Sequence, residues 1–258
     1  MAKVIAVANQ KGGVGKTTTS INLAASLTRT RRRVLLVDID PQGNATQGSG
    51  VDKAGALPTI YDVLVGGVEL PVARVATTAG YDLVPANTQL AGAEIELVTL
   101  TRRESRLREA LLPALGEYDF VLIDCPPSLS LLTVNALVAA DSVLIPMQCE
   151  YYALEGVSAL TDTIRRVRAS LNPRLEIEGL VRTMFDTRNT LSNEVSAQLQ
   201  QHFGAKLYNT IIPRNVRLAE APSYGLAAIA YDMDSRGAQA YLALAGEMLR
   251  RAEAETAP

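Results

Sequence analysis

A glycine-rich loop with two lysines is the part of the sequence best suited to chemistry. Residues 9–19 read Asn-Gln-Lys-Gly-Gly-Val-Gly-Lys-Thr-Thr-Thr, between a β-like run and a helix-like run. Glycines let backbone N–H groups turn onto phosphate oxygens, and the following helix N-terminus attracts the same anion. Lys16 can reach β- and γ-phosphates, and the Thr17 hydroxyl can bind Mg²⁺. The segment therefore predicts a phosphate-binding loop, although Gln10 stands where the strict motif has glycine.

Three carboxylates follow apolar strand-like runs. Asp38 and Asp40 end the run that starts at Val34, and Asp124 ends the run that starts at Phe120. Ligands of open α/β sheets bind beyond the carboxyl ends of the strands, so these acids are expected beside the phosphate loop and its metal ion. For Asp38 a second interpretation stays open, a helix cap or an acid that tethers a loop.

Apolar runs alternate with amphipathic stretches along the whole chain. The predicted strands are 3–8, 34–38, 81–84, 120–124, 142–147, 177–183 and 206–212. The predicted helices are 17–27, 59–64, one that starts at Ala86, 105–114, 128–139, 154–170, 191–203 and 236–251. Such alternation predicts an α/β fold, with a doubly wound, mostly parallel sheet and helices on both faces.

The chain is predicted to form a single domain over residues 1–258. Residues 41–100 are less regular and read as an insertion, and residues 251–258 read as a frayed tail.

The composition excludes several classes of protein. The 258 residues are 48% hydrophobic and carry a formal net charge of -2, which argues against disorder and against a globally basic nucleic-acid binder. Two cysteines and one histidine do not suggest a disulfide scaffold or a zinc site. Without a signal peptide or an 18-residue apolar stretch, a cytoplasmic protein is expected.

The loop sequence K-G-G-V-G-K-T-T resembles that of the deviant Walker A ATPases, which include ParA/Soj partition proteins, MinD and the nitrogenase iron protein. The segments D-x-D-P-Q-G-N and D-C-P-P-S resemble the two switch segments of ParA proteins. Residues 179–188 and 211–225 match ParA/Soj proteins nearly residue for residue. The resemblance covers residues 3–250 and implies the short ParA/Soj form, without an N-terminal helix-turn-helix.

Roles for individual residues are implied by this resemblance. Lys11 would reach the partner's phosphates across a nucleotide-sandwich dimer, and Asp40 would position the attacking water, so Lys11, Lys16 and Asp40 are the predicted catalytic residues. The predicted ATP-binding residues are Lys11, Gly12, Gly13, Val14, Gly15, Lys16, Thr17, Thr18, Met184, Pro213 and Asn215. Thr17, Asp38 and Asp124 would hold Mg²⁺, the two acids in part through water.

Four arginines are candidates for contacts with DNA. The resemblance assigns Arg188 and Arg217, and the positions of Arg214 and Arg250 add two further candidates. From the residues alone, a solvated surface explains them equally well, and Arg250 also suits a helix C-terminus.

The function implied is an ATP-dependent switch for chromosome or plasmid partitioning. ATP and Mg²⁺ would close a homodimer that binds double-stranded DNA without sequence preference, on the nucleoid. A ParB-like DNA-binding protein would stimulate a slow ATP hydrolysis. The alternatives are a MinD-like ATPase on a membrane surface and a small-molecule ligase or kinase resembling dethiobiotin synthetase. Arg250 and Arg251 without a large aromatic residue make a poor membrane anchor, so no membrane partner is expected.

Overall fold

Strands from both halves of the chain share one sheet. The computed structural model describes residues 2–256, and in that range they form a single eight-stranded sheet in the order β3-β4-β2-β5-β1-β6-β7-β8. The strands are β1 (Lys3–Val7), β2 (Val34–Asp38), β3 (Val75–Ala76), β4 (Asp82–Val84), β5 (Phe120–Asp124), β6 (Ser142–Met147), β7 (Glu176–Phe185) and β8 (Leu207–Pro213). Among these residues β3 and β4 pair antiparallel and the other neighbours pair in parallel, which confirms the predicted fold class.

Helices cover both faces of this sheet. They are α1 (Lys16–Arg29), α2 (Asn44–Gly48), α3 (Ile60–Leu64), α4 (Leu90–Glu96), α5 (Arg106–Leu111), α6 (Leu131–Ala139), α7 (Ala153–Ser170), α8 (Thr190–Phe203), α9 (Val216–Glu220), α10 (Ala228–Tyr231) and α11 (Arg236–Thr256). Short 3₁₀ helices span Leu70–Ala73, Leu97–Thr99, Leu112–Ala114, Gly204–Lys206 and Ala221–Tyr224.

The alternation of side chains along the strands produces two hydrophobic cores. On β1, Val4 and Ala6 pack in a cluster with buried residues of helices α3 to α8. Ile5 and Val7 face the other way and pack with α1, α2 and α9 to α11. Successive side chains of a strand point to opposite faces, so a strand buried on both sides must be apolar throughout, as the central strands are.

Side chains of α11 close the exposed edge of the sheet at β8. The Glu247 carboxylate accepts hydrogen bonds from the backbone N–H groups of Asn209 and Thr210, at 2.9 and 2.8 Å. Arg251 donates to the carbonyls of Ala205 and Leu207. These contacts satisfy backbone groups that would otherwise be free to pair with another chain.

Several predicted boundaries are corrected by the structure. The helix expected from Ala86 begins at Leu90, and the one expected from Ser128 begins at Leu131. Residues 251–256, expected to be a frayed tail, continue helix α11, while 257 and 258 lie outside the described residues. Strand β3 and helices α2, α9 and α10, each five residues or shorter, were not predicted.

Within residues 2–256, no helix has the length and apolar character needed to cross a membrane.

Candidate functional site

The glycine-rich loop lies between the end of β1 and the start of α1. Gly13 and Gly15 have left-handed backbone angles, φ 73° and 88°, which a residue with a β-carbon rarely adopts. Helix α1 begins immediately after Gly15. A β-carbon added at Gly12 or Gly13 would meet no atom within 4 Å, so the space over the loop is open. Together these features form an anion cradle of backbone N–H groups at a helix N-terminus.

A cavity of about 360 Å³ lies over this loop. It is lined by Gly12, Gly13, Gly15, Lys16, Thr17, Thr18, Asp40, Gln42, Asn44, Pro127 and Met184. Of the lining residues, Gln42, Asn44 and Pro127 were not assigned a role from the sequence. The signal for them was present, since all three lie in the two segments that resemble ParA switches.

Lys16 and Thr17 connect the loop to the end of β5. The Lys16 ammonium group is buried and donates to the backbone carbonyl of Lys11 at 3.0 Å. The Thr17 hydroxyl donates to one oxygen of Asp124 at 2.8 Å, and the Ser20 hydroxyl donates to the other at 2.8 Å. Burial lowers the pKa of Lys16, and the nearby carboxylate of Asp124 opposes that shift.

Asp38 lies opposite Asp124 in the parallel ladder of β2 and β5 and is fully buried. Its oxygens accept hydrogen bonds from the Thr46 backbone N–H at 2.8 Å, the Thr46 hydroxyl at 2.7 Å and the Asp40 N–H at 3.1 Å. These contacts hold helix α2 against the end of β2. The geometry therefore gives Asp38 the tethering role that the sequence left open, and its predicted place in the metal shell stays a prediction.

Asp40 is the predicted acid that lines the cavity itself. It is 8% exposed, and one of its oxygens accepts the backbone N–H of Gln42 at 2.9 Å. An Asx-type contact of this kind fixes the turn that follows the strand. Asp40 therefore lies on a hydrogen-bonded turn that borders the cavity.

A cation bound nearby would stabilise the charged forms of the buried Asp38 and Asp124 carboxylates. Burial raises the pKa of Asp124, and the neighbouring Asp38 raises it further. Burial also raises the pKa of Asp38. Among residues 2–256, no group of three or more His, Cys, Asp or Glu side chains could hold a metal ion by itself. The Thr17 hydroxyl and Asp124 beside a phosphate cradle nevertheless fit Mg²⁺, which keeps several waters and binds through few protein ligands and phosphate oxygens.

Lys11 lies outside the set of residues that line this cavity. Its ammonium group is 2.5 Å from a carboxylate oxygen of Glu150, in the segment between β6 and α7. Both side chains are about half exposed, at 42% and 51%. The two lysines of the loop are therefore separated in space, one buried under the cradle and one at the surface.

The residues predicted near adenine are placed in different surroundings. Met184 lines the phosphate-loop cavity, and its sulfur is 2.9 Å from the side-chain nitrogen of Gln148. Pro213 lines a second cavity of about 550 Å³, together with Phe185, Arg188 and Arg214. The Asn215 side chain caps α9 by accepting the Arg217 N–H at 3.0 Å. The assignment of these three residues to adenine stays a prediction.

The four predicted arginines are only partly brought together. Arg188 and Arg214 line the second cavity with Arg236, a residue that the sequence did not single out because it only begins a helix. Arg217 pairs with Glu220 at 2.8 Å and with Asp232 at 3.0 Å. Arg250 lies 14 residues from Arg236 on α11, a separation of about 21 Å at the helical rise. Arg250 therefore faces a different part of the surface, beside β8.

Comparisons with known proteins give a consistent result. Residues 2–177 match a family model described as an AAA domain. The chain is 55% identical to the sporulation initiation inhibitor protein Soj of Bacillus subtilis over 249 residues, 96% of this chain and 98% of that protein. It is 54% identical to the chromosome partitioning protein ParA of Caulobacter vibrioides over 252 residues, 96% of this chain and 94% of that protein.

A solved structure is similar over nearly the full length. It is cobyrinic acid a,c-diamide synthase from Mycobacterium smegmatis, with a bound ATP analog and magnesium. It is 41% identical to this chain with a TM-score of 0.86, and the match covers 98% of this chain and 96% of that one.

Proposed function

The chain belongs to the ParA/Soj family of chromosome-partitioning ATPases, and on that premise we propose that it acts as an ATP-operated switch in partitioning. Binding of ATP and Mg²⁺ closes a homodimer, and the homodimer binds double-stranded DNA of any sequence on the nucleoid. A ParB-like protein stimulates an otherwise slow hydrolysis and returns the chain to the monomer. The chain carries out this cycle as one domain.

The observation that carries this proposal is the contact between the phosphate loop and the acids of the neighbouring strands. Thr17 is hydrogen-bonded to Asp124, and Asp40 lines the same cavity as Lys16. Gly12, Gly13, Gly15 and Lys16 bind the phosphates, with Val14 and Thr18 contributing backbone groups. Asp40 then orients the water that attacks the terminal phosphate.

Mg²⁺ fits beside Thr17 and Asp124, with Asp38 acting on it indirectly. When bound, Mg²⁺ neutralises charge on the β- and γ-phosphate oxygens. The chain's own contribution is to orient the donors. The Ser20 hydroxyl occupies one Asp124 oxygen and leaves the other directed at Thr17.

Dimerisation is supported by the surface around Lys11. Glu150, its partner, is followed by two exposed tyrosines, Tyr151 and Tyr152, which are 76% and 67% exposed. Leu129, 46% exposed, follows the cavity residue Pro127 by two positions. Exposed aromatic and aliphatic side chains next to a charged pair are typical of a protein interface. In the proposed homodimer, a second copy of the chain would pack on this surface and bring its bound nucleotide phosphates to Lys11.

DNA binding is supported by the arginines that follow β7 and β8. With a net charge of -2 the chain has no long-range attraction for DNA, so binding must come from a local surface. A two-fold dimer would duplicate Arg188, Arg214 and Arg217 and join weak phosphate contacts into one stronger site. Phosphate contacts carry no sequence information, which accounts for binding without sequence preference.

A pair of salt titrations tests the DNA-binding part of the proposal. With a non-hydrolysable ATP analogue, affinity for two unrelated duplexes should be similar, and it should fall with salt by about 0.9 log units per log unit for each phosphate contact. Arg188→Ala/Arg217→Ala should lower both affinity and slope while the dimer persists. Arg165→Ala is the control, since Arg165 also pairs with an acid three residues away but lies on α7. Equal affinity and slope in the double variant and the wild type would remove these arginines from the DNA surface.

The synthase among the similar structures makes a small-molecule ligase the second candidate. ATPase assays distinguish the two functions. Stimulation by DNA together with a ParB-like protein supports partitioning, whereas stimulation by a metabolite in their absence supports the ligase. Sedimentation with liposomes and ATP tests the MinD-like alternative, for which we expect no binding.

A further inference from the structure

Thr183, near the end of β7, contacts the phosphate loop from a strand 169 positions away in sequence. Its side chain is buried, at 2% exposure, and its hydroxyl donates a hydrogen bond of 2.7 Å to the backbone carbonyl of Val14. A β-carbon added at Gly15 would lie 3.7 Å from the Thr183 β-carbon and 3.8 Å from its methyl group. Thr183 therefore meets the loop through both its hydroxyl and its methyl group, at the peptide that joins Val14 to Gly15.

This hydrogen bond fixes the orientation of one peptide group. In a planar trans peptide the carbonyl and the N–H that it is joined to point in opposite directions. With the Val14 carbonyl directed at Thr183, the N–H of Gly15 is directed away from β7. Gly15 lines the cavity, whereas Val14 is buried at 1% exposure. The hydroxyl thus holds the Gly15 N–H in the direction in which an anion-binding loop uses it.

A distortion of β7 brings two successive side chains to this loop. In a regular strand, neighbouring residues point to opposite faces, so Thr183 and Met184 could not both reach it. Met184 has a left-handed φ of 49°, and the register of β7 with β8 shifts between Arg182 and Phe185. As a result the Met184 methyl group also approaches Gly15, with 3.9 Å between it and a β-carbon added there. Strained backbone persists where the surrounding structure holds it, and the Met184 side chain contacts both Gln148 and the loop.

We propose that Thr183 is a positioning residue of the phosphate site. Its hydroxyl orients the Val14–Gly15 peptide so that the Gly15 N–H faces the phosphate chain of a bound nucleoside diphosphate or triphosphate. The inference rests on the proposed nucleotide-binding function and adds to it a residue that lies outside both the loop and the carboxylates.

Two substitutions separate the hydroxyl from the methyl group. Thr183→Val keeps the shape and loses the donor, and Thr183→Ser keeps the donor and loses the methyl group. The measurement is the dissociation constant of ADP with MgCl₂, by competition against a fluorescent ADP analogue, at a temperature where each apo variant is folded. Losing the donor leaves a buried carbonyl unpaired and a peptide free to turn, so we expect Thr183→Val to bind ADP about 5- to 100-fold more weakly. Thr183→Ser should stay within about twofold of the wild type, because its hydroxyl still holds the peptide.

Which of the two variants binds ADP more weakly decides whether Thr183 orients the peptide or only fills space. If Thr183 only filled space, the serine variant would be the weaker binder, and that order would overturn the proposal. Equal affinity of the valine variant and the wild type would do the same. If Thr183→Val does not fold, Thr183→Ala replaces it, with the same loss expected. A wild-type protein that fails to bind ADP would overturn the proposed function and this inference together, whereas a failure of the inference alone leaves wild-type binding intact.

Discussion

The two lysines of the phosphate loop should respond very differently to substitution. Lys16 is buried and lines the cavity. The Lys11 backbone carbonyl accepts a hydrogen bond from Lys16, and the Lys11 side chain forms an ion pair with Glu150. A lost charged hydrogen bond costs about 1.5–3 kcal/mol, so Lys16→Ala should weaken ATP binding by about 10- to 150-fold or more. Lys11→Ala should leave the ATP affinity of the isolated chain within about twofold.

The ion pair between Lys11 and Glu150 is expected to be weak. With both side chains about half exposed, its contribution is about 0.2–1 kcal/mol. In the proposed dimer Lys11 leaves Glu150 for the partner's phosphate, so that small free energy opposes dimerisation. A two-fold dimer breaks two such pairs, about 2 kcal/mol at most, so Glu150→Gln should tighten the ATP-dependent dimer by at most about 30-fold. Lys11→Ala should abolish the dimer, because Lys16, the other lysine of the loop, is buried and donates to the Lys11 carbonyl of its own chain.

Sedimentation velocity with a non-hydrolysable ATP analogue measures the dimer, and a fluorescent ATP analogue measures binding to the isolated chain. Glu155→Gln is the matched control, an exposed glutamate five positions further along, and it should change neither quantity. If Lys11→Ala weakened nucleotide binding as much as Lys16→Ala, Lys11 would act within its own subunit. If Glu150→Gln weakened the dimer, Glu150 would be part of the interface and not a competitor for Lys11.

Two further predictions concern hydrolysis and stability. Asp40→Ala should still bind ATP and accumulate as the ATP-bound dimer, with partner-stimulated phosphate release lowered about 100-fold or more, and unchanged release would move the role to another acid. Glu247→Gln should lower the free energy of unfolding by about 1.5–3 kcal/mol, measured in urea, because Glu247 accepts hydrogen bonds from Asn209 and Thr210. Burial favours the neutral form of Glu247, but the hydrogen bonds outweigh burial and hold its pKa below the ordinary 4.5. The stabilisation is therefore present above pH 4.5 and lost as the pH falls through the lowered pKa, so wild type and variant should converge in acid.

The central strands could be predicted because their signal is local. Strands β2, β5 and β6 have the bounds expected from the sequence, since each is a mostly apolar run that ends at an aspartate or, for β6, just before Gln148. Helix α2 had no such signal. It is five residues long, follows a left-handed glycine, buries a single apolar side chain larger than glycine, Ala45, and is held by Asp38 through Thr46. Its stability comes from a contact that only the folded chain supplies.

The same distinction applies to the candidate site. The phosphate loop and its acids follow from the rule that strand ends meet at one edge of the sheet, and the contact of Thr17 with Asp124 agrees with it. The pairing of Lys11 with Glu150 joins residues 139 positions apart and depends on β6 lying next to β1. No spacing in the sequence encodes that neighbour relation. For Arg250 the sequence predicts a basic residue on the last helix, but not that it lies at a different cavity from Arg188 and Arg214.

The strand order explains why one loop can serve two tasks. Strand β1 lies between β5 and β6, so the loop that follows it is bordered on one side by Asp124 and Asp38 and on the other by the segment after β6 and by the end of β7. The first side carries the acids proposed to act in hydrolysis. The second carries Glu150, which holds Lys11, and Thr183, which holds the Val14 carbonyl. Arg188 lies five residues beyond Thr183, in the loop after β7, and lines the cavity that also contains Arg214 and Arg236. In the proposed cycle a phosphate bound at the loop therefore acts on hydrolysis through β2 and β5, and on dimerisation and DNA through β6 and β7. Variants on one side should separate these effects, as Asp40→Ala keeps the dimer while it slows hydrolysis.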